Sequence, residues 1–216
     1  MSFQEGGCLC GAIRYTTNSD PMLVMHCHCK FCQRATGAAY SVEPIFDKKS
    51  FAVITGKPTT YTQTSEGSGK RITINFCSTC GTKAFLDLER FPAFCVVYGG
   101  TFDDPNWFDR SPEITRHIFL DFAQNGTVIP AGVSTFPQHA LRSDGTWIEP
   151  IVFEHHHKIR INRGCSKRSP LALLGLSQSR RVISAVGTKQ TPEGQPGCPL
   201  PRGNADIAKS MSVPDL

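Results

Sequence analysis

The chain has 216 residues, of which 39% are hydrophobic, with 19 Gly, 15 Pro and a formal net charge of +5. That length can bury a real core, the glycines and prolines imply many turns, and no stretch approaches the roughly 18 apolar residues of a helical membrane span. The opening M-S-F-Q-E-G-G has neither the basic start nor the apolar stretch of a secretory signal, so a cytoplasmic, reducing location is expected. Ten cysteines in such a compartment serve metal rather than disulfides.

The charge is unevenly divided. Residues 1–157 carry 13 Lys and Arg against 15 Asp and Glu, a balance of −2, whereas residues 158–216 carry 10 against 3, or +7. Non-specific nucleic-acid binding rests on phosphate neutralisation and is therefore expected only from the tail.

In chain order, Gly6-Gly7-Cys8-Leu9-Cys10-Gly11 is a turn that can aim two thiols at one point. Residues 12–16 alternate as a half-buried strand does, and Met22-Leu23-Val24-Met25 is a short apolar run leading into H-C-H-C-K-F-C at 26–32. Residues 34–39 are too short and too broken by Gly37 to predict a helix. Glu43 to Thr60 reads as strands separated by Asp47-Lys48-Lys49 and Gly56-Lys57-Pro58. Arg71 to Phe76 alternates strictly and delivers Cys77 from a strand end. Cys77-Ser78-Thr79-Cys80-Gly81 is a compact knuckle, and Lys83 to Leu86 completes a hairpin. Ala93 to Tyr98 is a buried strand in which Cys95 is a small core residue. His117 to Leu120 reads as another strand, and residues 122–136 as loop. The consecutive side chains of His155, His156 and His157 point in different directions, so no shared metal is expected there. From 158 onward Ser, Pro, Gly and Arg dominate, predicting a basic tail of low order behind a domain ending near residue 154.

The cysteines fall into two sets. Cys8, Cys10, Cys77 and Cys80 make four sulfurs in two pairs far apart in sequence, as a closed structural zinc site requires. Cys27, Cys29 and Cys32 supply three, with no fourth cysteine beside them, as an open zinc site does. Three thiolates leave zinc with a formal site charge of −1. That blunts its power to make hydroxide yet lets it hold an incoming thiol as thiolate. The alternative is a fourth protein ligand that closes the site, with His26, His28, His117 and His139 as candidates. His26 and His28 alternate with the thiols and are expected to point away from the metal. Lys30 and Arg34 lie close enough in sequence to meet a substrate carboxylate, or are simply solvated.

The segments G-C-L-C-G-A-I-R-Y, C-H-C-K-F-C-Q-R-A-T-G and F-C-S-T-C-G, in that order, resemble the glutathione-dependent formaldehyde-activating enzyme family, whose domain is shared with centromere protein V. The likeness covers about residues 3–154. It implies a mainly β, zinc-stapled sheet domain resembling the Rab guanine-nucleotide-release accessory factor (Mss-type) fold, with two zincs per chain. By motif, Cys8, Cys10, Cys77 and Cys80 match the structural zinc, and Cys27, Cys29 and Cys32 the catalytic one. It also implies a carbon–sulfur lyase activity that reversibly adds glutathione, or a similar thiol, to formaldehyde or another small electrophile. The rival expectation is a non-catalytic zinc module that binds chromatin or protein through its tail. After Thr101 the chain departs from the tryptophan-rich ending of the best-known members, with F-A-Q-N-G-T-V-I-P-A-G in its place.

Overall fold

The computed structural model describes residues 3–142 and 144–160. Most of the predicted tail, from residue 161 on, lies outside the described residues. The elements in order are β1 (Gln4–Gly7), β2 (Arg14–Thr17), β3 (Leu23–Cys27), α1 (Lys30–Thr36), β4 (Ser41–Asp47), β5 (Phe51–Thr55), β6 (Thr59–Thr64) and β7 (Arg71–Phe76). There follow β8 (Lys83–Leu88), β9 (Phe94–Val97), β10 (Thr115–Ile118), β11 (Val128–Ile129), β12 (Ser134–Thr135), β13 (Ile151–Val152) and β14 (His157–Lys158). The fold is mainly β, as the sequence predicts.

Nine strands form one mixed sheet in the order β13-β12-β10-β3-β4-β9-β8-β7-β6, and β1-β2-β5 form a second sheet. Only β10 runs parallel to its neighbours, β3 and β12; the other pairs of the large sheet are antiparallel. Successive residues of a strand point to opposite faces, and this alternation splits the core in two. Cys95 and Val97 join Tyr15, Phe46 and Phe102 in a cluster shared with the small sheet, where Tyr15 meets Phe102 edge-on at 5.4 Å. Val96 and Tyr98 join Ile74 and Leu86 on the other face, beneath Phe31 and Ala35 of α1.

Helix α1 departs from the sequence reading. It begins at Lys30, before the window broken by Gly37, and its N-cap is the Cys29 thiol, which accepts from the Cys32 N–H. Cysteine is not one of the usual capping residues, so the start signal is hidden. Gly37 is the left-handed C-cap, with φ of 72°, rather than an interruption. The predicted loop at 122–136 holds two short strands, and the strand expected over 117–120 begins at Thr115 and ends at Ile118.

The packed chain continues past residue 154, where the sequence places the domain end. β14 pairs with β11, and Ile159 is 1% exposed against Leu120, Ala123 and Ile129.

Candidate metal centres

Two chain reversals make the four-sulfur set. After β1, the Cys8 N–H donates to the Ile13 carbonyl and the Gly11 N–H to the Cys8 carbonyl. After β7, the Cys77 N–H donates to Thr82 and the Gly81 N–H to Cys77. Gly11 and Gly81 both turn through φ of 75°, a left-handed conformation that favours glycine, so each turn returns with its two sulfurs on one side. The ladder between β7 and β8 shifts register between Asn75 and Phe76, just before Cys77 is presented. The sulfurs of Cys8 and Cys10 lie 3.5 Å apart, and those of Cys10 and Cys77 3.7 Å. A tetrahedral zinc at ordinary zinc–sulfur distances holds its sulfurs roughly 3.8 Å apart, so the spacing fits that ion. The Ile13 N–H donates to the Cys8 sulfur, and the Thr82 hydroxyl holds Cys80 down to about 5, both favouring thiolate.

The three-sulfur set lies where β3 turns into α1. Cys27 ends the strand, Cys29 caps the helix and Cys32 sits in its first turn. The three sulfurs lie within 4.8 Å of one another, and among the described residues no histidine or carboxylate joins them at that spacing. The neighbouring thiols of Cys27 and Cys32 hold Cys29 down to about 3 and are themselves pushed well up. Three thiolates this close repel one another, and a divalent cation is what lets all three ionise together. Around it stand Ile118, Phe136, Phe119 and Phe31, an apolar wall that keeps water scarce.

One neighbour escapes sequence reasoning altogether. Glu43 on β4 is 6% exposed, and its Oε1 accepts from the Cys32 sulfur at 3.2 Å and from the Ser41 hydroxyl. Burial raises its carboxyl to about 7. The pairing of β3 with β4 puts Glu43 opposite Met25 and Ser41 opposite Cys27, which brings both to the knot. Nothing in a single strand's sequence announces that register.

The histidines form a separate group. His26 and His117 are register partners across β3 and β10, on the sheet face opposite Cys27. His28 Nε2 lies 3.0 Å from His117 Nδ1, and Tyr40 stacks on His26. His28 is 0% and His117 2% exposed, and burial lowers His26 and His28 to about 4 and His117 to about 3. His139 accepts from the Leu141 N–H and packs between Phe91 and Phe119. None of the four candidate histidines closes the three-sulfur set. Lys30 lies over the ring of Phe122, and Arg34 falls in the last turn of α1.

A β domain with one closed and one three-membered thiolate set defines a class of protein that could hold two zinc ions through cysteine. The model of the glutathione-dependent formaldehyde-activating enzyme family matches residues 3–121, more than half of the chain, and the chain belongs to that family. No curated protein matches it significantly. It is similar to a solved Rhodobacter sphaeroides protein determined by structural genomics, at 21% identity and a TM-score of 0.37, over 46% of this chain and 87% of the other. Among the described residues no helix is long and apolar enough to cross a membrane.

Proposed function

We propose that the protein is a carbon–sulfur lyase of its family's type, adding glutathione or a similar small thiol reversibly to formaldehyde or another small electrophile. The observation that carries this reading is the three-sulfur set, which among the described residues no fourth ligand atom of a Cys, His, Asp or Glu joins within 4.8 Å of all three sulfurs. Cys8, Cys10, Cys77 and Cys80 would hold a structural zinc, and Cys27, Cys29 and Cys32 the second, catalytic one. When bound, that second zinc would supply a position where a thiol could be held as thiolate at neutral pH.

The chain's own groups do the rest. Cys29 is fixed by its cap on α1, and Cys32 is braced by Glu43 and Ser41, so two of the three sulfurs have little freedom to close over a vacant position. The apolar wall of Ile118, Phe119 and Phe136 strips water from the incoming sulfur and raises its nucleophilicity. A reducing cellular interior, where such a thiol is abundant, fits this chemistry. The +7 carried by residues 158–216 leaves a secondary contact with nucleic acid as the tail's own property.

Metal analysis of the purified protein tests the reading, with two zincs per chain expected. In the cobalt-substituted protein, glutathione is expected to change the visible spectrum of one site only. A single metal, or a spectrum indifferent to glutathione, would defeat it.

A further inference from the structure

Tyr98 follows the last residue of β9 and is 6% exposed, yet its hydroxyl has no hydrogen-bond partner among the described residues. Buried hydroxyls are nearly always paired, so an orphan asks for an explanation. Its place in the sheet supplies one. β4 and β9 pair Ile45 with Val96, Phe46 with Cys95 and Asp47 with Phe94. Continuing that register sets Tyr98 beside Glu43. The continuation is real at the next step, because a Cβ on Gly99 would lie 3.3 Å from the Val42 carbonyl. Glu43 in turn touches the sulfur of Cys32. Phe31 contacts both the Cys27 and Cys32 cluster and the Tyr98 cluster, and so forms a wall common to the two. Burial pushes the phenol upward, and the neighbouring acidic groups Glu43, Cys32, Cys27 and Cys29 add to it, which keeps it a proton-bearing donor.

We propose that the Tyr98 hydroxyl is the hydrogen-bond donor that receives the carbonyl oxygen of the electrophile, a catalytic role resting on the thiol-addition reading above. Addition forms one sulfur–carbon bond and breaks the carbonyl π bond, whose electron pair moves to oxygen. The developing alkoxide accepts the Tyr98 hydrogen bond and then takes a proton from solvent, replacing the proton that the thiol released when it was bound. One thiol and one aldehyde give one hydroxymethyl thioether, with no other reactant. The tyrosine has no partner in the resting protein because its partner arrives with the substrate. Such a donor strengthens its bond as charge grows on the oxygen, so it favours the transition state over the bound aldehyde.

Tyr98→Phe removes the hydroxyl and keeps the ring. The variant is expected to melt at or slightly above the wild-type temperature, because it deletes a buried polar atom that had no partner. Its cobalt form is expected to respond to glutathione as the wild type does. Formaldehyde added to the glutathione-loaded cobalt protein should then bind about tenfold more weakly, and the zinc enzyme's turnover should fall by about 100-fold, the effect of losing one such donor. Unchanged formaldehyde binding and turnover would overturn the role of Tyr98 while leaving the thiol reading intact. A variant that loses its glutathione response or melts well below wild type would show the hydroxyl to be structural, and also overturns the proposal. A wild type without any glutathione response sinks both readings together.

Discussion

Three imidazoles buried side by side make the stability of this molecule depend on pH with a definite sign. Burial lowers His26 and His28 to about 4 and His117 to about 3 in the folded chain, against an ordinary value of about 6.5 when unfolded. Between those values the unfolded chain binds protons that the folded chain refuses. Stability from this row is therefore fully present above about pH 6.5 and is lost as pH falls toward 4. Glu43 acts in the opposite direction: burial raises it to about 7, so its contribution is present below the ordinary carboxylate range and disappears as pH climbs through 7. The urea midpoint is expected to drop between pH 7.5 and pH 5.5, and to drop less in His117→Phe. Equal drops in both proteins would remove the histidine row as the cause.

At the scale of elements, the turns carry the energy that single strands lack. Gly56, between β5 and β6, has φ of 74°, and a Cβ there would meet the Ala12 carbonyl oxygen at 2.0 Å. Gly56→Ala is expected to destabilise by about 2–4 kcal/mol through backbone strain and a clash that no side chain can relieve, as read from denaturant unfolding. The two cysteine sets should answer substitution differently. Cys10 and Cys77 are 67 residues apart in sequence, and a crosslink closing a loop of that size is worth about 4 kcal/mol in chain entropy. Cys77→Ser is expected to lower the melting temperature sharply and to loosen the β1 turn. Cys29→Ser should remove one zinc by elemental analysis and abolish turnover while leaving the melting temperature within a few degrees. A collapse of the fold in Cys29→Ser would mean that both metals are structural.

Across the whole molecule, β14 and Ile159 extend the packed body beyond its predicted end. Truncation after residue 154 deletes Ile159 from beneath Leu120 and Ile129 and is expected to lose about 2–3 kcal/mol of burial energy, whereas truncation after residue 160 should leave melting and metal content unchanged. The same shorter chain separates the two functions weighed from the sequence. Full turnover without residues 161–216 is the expected outcome, and any salt-sensitive DNA binding should vanish with them.

The strands β4, β5 and β7 to β9 and the two cysteine sets were legible in the chain because each rests on local rules: alternation over a half-buried face, glycine at left-handed turns, and thiol spacing short enough for one ion, whereas β6 runs on to Thr64, past the Thr60 at which the strand reading stops. The helix behind Cys29 was not, since a thiol stood where a hydroxyl or carboxylate usually signals a start. Register was equally hidden. The sequence by itself determined which sulfurs belong together within each segment and the alternation of the central strands. Only the tertiary structure decided that Glu43 backs Cys32, that His28 meets His117, and that a tyrosine with an unpaired hydroxyl continues β9 in register with Glu43. Those facts depend on how strands distant in sequence align, and alignment is chosen by the packing of the whole sheet rather than by any one stretch of it.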